Sequence, residues 1–150
     1  MKIELDYKGL LELAEQVERM ASDEEIAKIN KKIVTRGEPI VKKIMKSKMP
    51  KSADISKSGR GFGTLSSVST HAAEAIPVED VKMQGTIASA SVGWNKSDNS
   101  EHFYVKFINW GTIYQPPQEF IYKTGREADS QIEKIAEQEY QNFLNQTIKQ

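Results

Sequence analysis

Apolar residues recur at helical spacing between Tyr7 and Met20, at Leu10, Leu11, Leu13, Ala14, Val17 and Met20, with Glu12, Glu15 and Glu18 between them. One oily face and one acidic face predict an amphipathic helix. Ser22-Asp23-Glu24-Glu25 then reads as a capping box, in which the Ser hydroxyl accepts from the Glu25 amide and the Glu25 carboxylate reaches back to the Ser22 amide. It opens a second helix, whose face runs Ile26, Ile29, Ile33, Val34, Ile40, Val41, Ile44 and Met45 as far as about Lys46. Gly37 and Pro39 fall inside it. Because proline removes one amide donor and crowds the carbonyl four residues back, a kink near Thr35 is expected rather than two separate helices.

Periodicity is lost from Met49 to His71, where Ser, Lys and Gly dominate. So polar a stretch has too little apolar area to offset the entropy of ordering it, and a mobile basic loop at about 49–71 is expected. Beyond it, Ala75 to Val81 and Thr86 to Trp94 read as two strands around a turn containing Gly85. On the second strand Ala88, Ala90, Val92 and Trp94 share one face, expected to be the core face, and Ile87, Ser89, Ser91 and Gly93 the other. Phe103, Tyr104, Phe107, Ile108 and Trp110 then follow helical spacing up to Gly111, a residue suited to a left-handed C-cap. Pro116-Pro117 enforces an extended link. A last helix, from about Gln118 to Ile148, presents Ile121, Ala128, Ile132, Ile135, Ala136, Phe143, Leu144 and Ile148 on its apolar side and carries a weak point at Gly125. The fold class read from this order is α+β in a single domain, 1–150: two N-terminal helices, an antiparallel sheet with a hairpin, a short aromatic helix and a long C-terminal helix.

Composition narrows the chemistry. The 150 residues include no cysteine, which excludes disulfides and thiolate metal sites and suits a reducing cytoplasm. No signal peptide and no run of about eighteen apolar residues is present, so neither secretion nor a membrane span is expected. His71 and His102 are the only histidines, and neither has an acidic or histidine neighbour at ligand spacing along the chain. No G-x-S-x-G elbow and no phosphate loop appears, and the glycines at 59, 61 and 63 lack the strand and helix that would frame one. Carboxylate pairs such as Glu24 with Glu25 and Glu137 with Glu139 read as charge on exposed helix faces. The expectation is a protein that is not an enzyme and holds neither cofactor nor metal.

The net charge of zero conceals an asymmetry. Between Lys42 and Arg60 stand seven basic residues (Lys42, Lys43, Lys46, Lys48, Lys51, Lys57, Arg60) and one acid, Asp54, so this stretch is +6 and the remainder −6. Three readings of it stay open: a solvated loop, an acidic partner protein, or DNA phosphates. Only Phe62 interleaves with the cations, which leaves out the aromatic stacking of a single-strand binder.

Phe103-Tyr104-Val105-Lys106-Phe107-Ile108-Asn109-Trp110-Gly111-Thr112, then Pro117-Gln118-Glu119-Phe120, resembles the signature of the gene-product-ten-like head-tail connector and tail-completion (neck) proteins of tailed bacteriophages and prophages. In that family an aromatic helix ends at Gly-Thr and a Pro-x-x-Phe step opens the final helix. Ser58-Gly59-Arg60-Gly61, His71 to Pro77 and Val92-Gly93-Trp94 resemble further segments of it in the same order, so the likeness covers most of the chain from Ser58 to Phe120. The chain departs from the pattern at Ile113-Tyr114-Gln115, where the family often has a small or basic residue and a methionine. The resemblance implies a virion structural protein that joins copies of itself in a ring, six being the expected number, and meets neighbouring head-closure or tail proteins, with a passing contact with phage DNA also open. The basic stretch and the aromatic Gly-Thr corner are the candidate places for subunit or partner contacts: Lys48, Lys51, Lys57, Arg60, Phe62, Trp110, Gly111, Thr112, Tyr114, Pro117 and Phe120. The competing expectation is a nucleic-acid-binding protein that uses residues 42–60.

Overall fold

A computed structural model describes residues 11–51 and 70–149. The elements run α1 (Leu11–Met20), α2 (Asp23–Lys48), a 3-10 turn (Ala72–Glu74), β1 (Lys82–Gln84), β2 (Ile87–Ser89), α3 (Val105–Trp110) and α4 (Phe120–Ile148). This is the α+β arrangement the hydrophobic pattern predicts. The first helix was expected from Tyr7, and residues 7–10 lie outside the described residues.

The capping box at α2 forms as the residue types dictate: Glu25 N donates to Ser22 Oγ over 3.3 Å, and Ser22 N donates to a Glu25 carboxylate oxygen over 2.8 Å. The helix then runs unbroken through Gly37 and Pro39 to Lys48, two residues beyond the predicted end. Met49, expected to begin the loop, is instead buried as the C-cap. α4 likewise runs through Gly125 without a break.

α2 and α4 lie antiparallel, with Asn30 against Tyr140 (3.1 Å), Gly37 against Ile132 and Lys48 against Glu127. Between them sits one core, built from Ile33, Val41, Ile44, Ala128, Ile132, Ile135 and Ala136, onto which α1 leans through Leu13. A second core gathers Met45, Met49, Ala72, Ala73, Ile76, Trp94, Val105 and Phe120 where α2 ends and α4 begins. Two expectations for α4 fail. Ile148 is 74% exposed in the last turn, beyond the reach of either core. Glu139, read as surface charge, is 5% exposed and takes Lys32 at 2.7 Å and Arg36, with Arg36 also reaching Gln138. Burial pushes the Glu139 carboxyl up, but the two cations outweigh it and hold the group below the ordinary carboxylate range.

The hairpin is shorter than predicted. Gly85, at φ +61, occupies the first central position of a two-residue turn, where a positive φ favours glycine. The pairing runs Lys82 with Ser89, Met83 with Ala88 and Gln84 with Ile87. A separate bridge joins Val78 to Val92. Three residues separate Val78 from Lys82 but only two separate Ser89 from Val92, so the first strand carries an extra residue that breaks the ladder. The predicted strand from Ala75 to Val81 therefore contributes a bridge, and the regular strand begins at Lys82. On β2 the alternation holds, with Ala88 half-buried between exposed Ile87 and Ser89; beyond it Ala90, Ser91, Val92 and Gly93 are all half-buried and Trp94 is buried, so the predicted two-faced pattern is lost after Ser89.

Glu38, on the α2 side of this hairpin, has a buried Oε1 with no hydrogen-bond partner among the described residues. Burial, and then the charge of Asp80, push its carboxyl above the ordinary range. A raised folded pKa favours the fold fully below the unfolded value, and that contribution is lost as pH rises through the folded value. Glu38→Gln should therefore raise the melting temperature at neutral pH by roughly 2 °C, with no gain below about pH 4. Thermal melts of both proteins at the two pH values check this, and equal melting temperatures at neutral pH would contradict it.

Candidate functional site

Helix α3 ends in a corner whose shape follows from a few residue types. Gly111 has φ +77 and ψ 173, not the left-handed helical cap expected there but an extended conformation open essentially to glycine. A Cβ at this position would lie 2.7 Å from Pro117 N and 2.9 Å from Gln115 O, so the chain doubles back against its own backbone. Thr112 N donates to Gln115 O (2.8 Å) and Gln115 N returns the bond to Thr112 O (3.3 Å), closing a loop of four residues. Thr112 Oγ1 accepts from Tyr114 N at 3.2 Å. Ile113 and Tyr114 are left at its tip, 90% and 92% exposed.

The base of the corner is fastened to α4. Gln118 N and Glu119 N donate to the carbonyls of Ile108 and Asn109 (3.0 and 3.1 Å). The buried Asn109 side chain accepts from Ile121 N at 3.2 Å, satisfying one of the amides that a helix N-terminus leaves without a partner. Phe120, 1% exposed, sits beneath in the second core. The tip is therefore a short apolar projection on a hydrogen-bonded base.

The helices on either side of the corner carry exposed aromatic rings with cations over them. Phe107 and Trp110, one turn apart on α3, and Tyr122 on α4 are all exposed. Lys96 Nζ lies 5.6 Å from the Trp110 ring, Lys106 Nζ 5.6 Å from Phe107, and the Arg126 guanidinium 5.9 Å from Tyr122. Lys96 and Arg126 stay exposed beside their rings, whereas the half-buried Lys106 also donates to the carbonyls of Lys96 and Asp98 (3.3 and 3.5 Å).

The structure brings together Trp110, Gly111, Thr112, Tyr114 and Pro117 of the residues singled out from sequence. Phe120 does not belong with them as a surface residue, because its ring points inward to pack on Met45, Met49 and Val105. Lys48 pairs with Glu127, and Lys51 lies 3.9 Å from Glu74, which Lys46 also engages at 2.5 Å. The Lys46 hydrogen bond holds the Glu74 carboxyl below its ordinary range. Half of the basic stretch's described lysines or more are thus already matched by acids of the same chain. Lys57, Arg60 and Phe62 lie outside the described residues. Sequence reasoning missed Phe107, Tyr122, Lys96, Lys106 and Arg126 as surface partners, although the spacing of Phe107 and Trp110 already placed them on one face.

The two histidines have local surroundings. His71 Nδ1 accepts from Ala73 N at 3.1 Å and caps the 3-10 turn. His102 is buried, with edge contacts to Trp94 and Tyr104, and its Nε2 lies 3.3 Å from Oε1 of the adjacent Glu101. Among the described residues no cluster of three or more His, Asp or Glu is placed to hold a metal ion, and no helix is long and apolar enough to cross a membrane. Comparison with protein-family models, with curated proteins and with solved structures finds no match to this chain.

Proposed function

We propose that this chain is a structural subunit of the head-tail junction of a tailed bacteriophage or prophage, a connector or tail-completion protein that assembles with copies of itself into a ring. Two lines support the reading. The first is the ordered resemblance from Ser58 to Phe120. The second, which carries it, is the corner: Ile113 and Tyr114 stand almost wholly in solvent on a base held by main-chain hydrogen bonds, and Trp110 and Phe107 are exposed on the helix that leads into it. Contiguous exposed apolar groups of this kind mark interaction sites, and a pre-ordered loop loses little conformational entropy when it docks. The alternative, phosphate binding by residues 42–60, is less well supported, because Lys46, Lys48 and Lys51 have carboxylate partners within the chain.

The test is the double variant Ile113→Ser/Tyr114→Ser, compared with the parent by sedimentation velocity over a concentration series. Since both side chains are already exposed, the melting temperature should move by no more than about 1 °C, while association weakens at least about tenfold. Unchanged association would remove the corner from the assembly surface.

A further inference from the structure

We infer that the corner of one copy docks on the opposite end of the next, so that assembly is head to tail through two different patches. This rests on the reading that the chain assembles with itself, and it names the surface that receives the corner.

The antiparallel pairing of α2 and α4 fixes the two ends. With 26 residues, α2 spans about 39 Å at the usual helical rise. Lys48 pairs with Glu127 near the corner, while Asn30 meets Tyr140 toward the far end. Continuing that register places Asp23, the end of α1 and the last turn of α4 together, some 40 Å from the corner by the same rise.

Charge divides along this axis. From Glu12 to Lys31 the far end carries six acids (Glu12, Glu15, Glu18, Asp23, Glu24, Glu25) and three bases. At the corner end, residues 42–51, Glu74 and residues 96–127 carry nine cations and five acids. The far end also has exposed apolar side chains of its own: Met20, 46% exposed, and Ile148, left outside both cores at the end of α4. An end rich in acids that also exposes apolar groups is complementary to a corner end where Lys96, Lys106 and Arg126 lie over the exposed rings of Trp110, Phe107 and Tyr122. Corner against corner, by contrast, would set these cations against one another, and like charges across an interface disfavour that pairing. Unlike patches generate a closed ring when the rotation between neighbours divides the circle, and in such a ring α2 and α4 run around the circumference rather than along its axis.

Two charge-reversed proteins test the pairing. Lys96→Glu/Arg126→Glu alters the corner and Glu18→Lys/Glu24→Lys alters the far end; all four side chains are exposed and none holds the corner's hydrogen bonds. With melting temperatures matching the parent, each alone should associate at least about tenfold more weakly, and the parent's own association should weaken as salt rises. Mixed at equal concentrations, the two should co-assemble in a 1:1 ratio, because the unaltered corner of one meets the unaltered end of the other and the two reversed patches again face each other with opposite charge. If the parent assembles and the far-end variant does so equally well, or if mixing restores nothing, the pairing is overturned while ring assembly stands. A parent that stays monomeric at every concentration overturns both. So does a monomeric parent whose corner binds a single-stranded oligonucleotide with a steep salt dependence that Lys96→Glu/Arg126→Glu abolishes, since that would assign the corner to nucleic acid.

Discussion

Gly111→Ala is expected to destabilise the fold by roughly 2–5 kcal/mol, lowering the melting temperature by about 5–15 °C. Two separate costs add. The backbone sits at φ +77 and ψ 173, where a side chain is strained whatever space surrounds it. The first side-chain carbon would also stand 2.7 Å from Pro117 N and 2.9 Å from both Gln115 O and Pro117 Cδ, and backbone atoms cannot swing aside as the end of a flexible side chain can. Because the collision is with Cβ itself, Gly111→Val should be only modestly worse than alanine. A left-handed helical cap would behave differently, tolerating alanine at a small cost and punishing the β-branched residue. Thermal or urea unfolding of the two variants separates these accounts. An alanine variant as stable as the parent would mean that the corner does not close as described.

The second large effect is expected at Phe120. Its ring is 1% exposed among Met45, Met49, Ala72, Ala73 and Val105, so Phe120→Ala removes a buried aromatic side chain and leaves a cavity, at about 3–5 kcal/mol. Phe120→Leu, which keeps most of the volume, should cost under about 2 kcal/mol. The contrast also decides what the Pro-x-x-Phe step does. A phenylalanine that touched a neighbouring subunit would, when truncated, leave the monomer's stability alone and weaken only assembly. A residue of the core lowers stability first, and any loss of assembly follows the loss of fold. Urea unfolding of the monomer, with sedimentation alongside, distinguishes the two.

Much of this fold is written in local rules. Ser22 and Glu25 need nothing beyond each other to cap α2, the alternation on β2 needs only the period of a strand, and Gly85 marks its turn because few other residues accept the required backbone angle. What was not legible depends on partners distant in sequence. Glu139 looks like surface charge until Arg36, 103 residues away, is seen to reach it, and Ile148 looks like core until the helix is seen to outrun its neighbours. Phe120 follows a proline link that reads as exposed, yet the bonds from Gln118, Glu119 and Ile121 back to Ile108 and Asn109 turn the chain so that the ring points inward. The candidate site was half legible. Trp110, Tyr114 and Pro117 came from the motif; Lys106 beside Phe107 and Arg126 one turn after Tyr122 follow local spacing, whereas Lys96 reaches the Trp110 ring from a turn that only the tertiary structure brings near.

The central claim is that the chain assembles with itself into a closed ring. Native mass spectrometry of the parent protein across a concentration series tests it most directly. The account predicts that monomer gives way, as concentration rises, to a single closed stoichiometry, with no continuing ladder of larger species and with loss of that species in Ile113→Ser/Tyr114→Ser. A monomer at every concentration, or an open-ended ladder unaffected by those two substitutions, would contradict it.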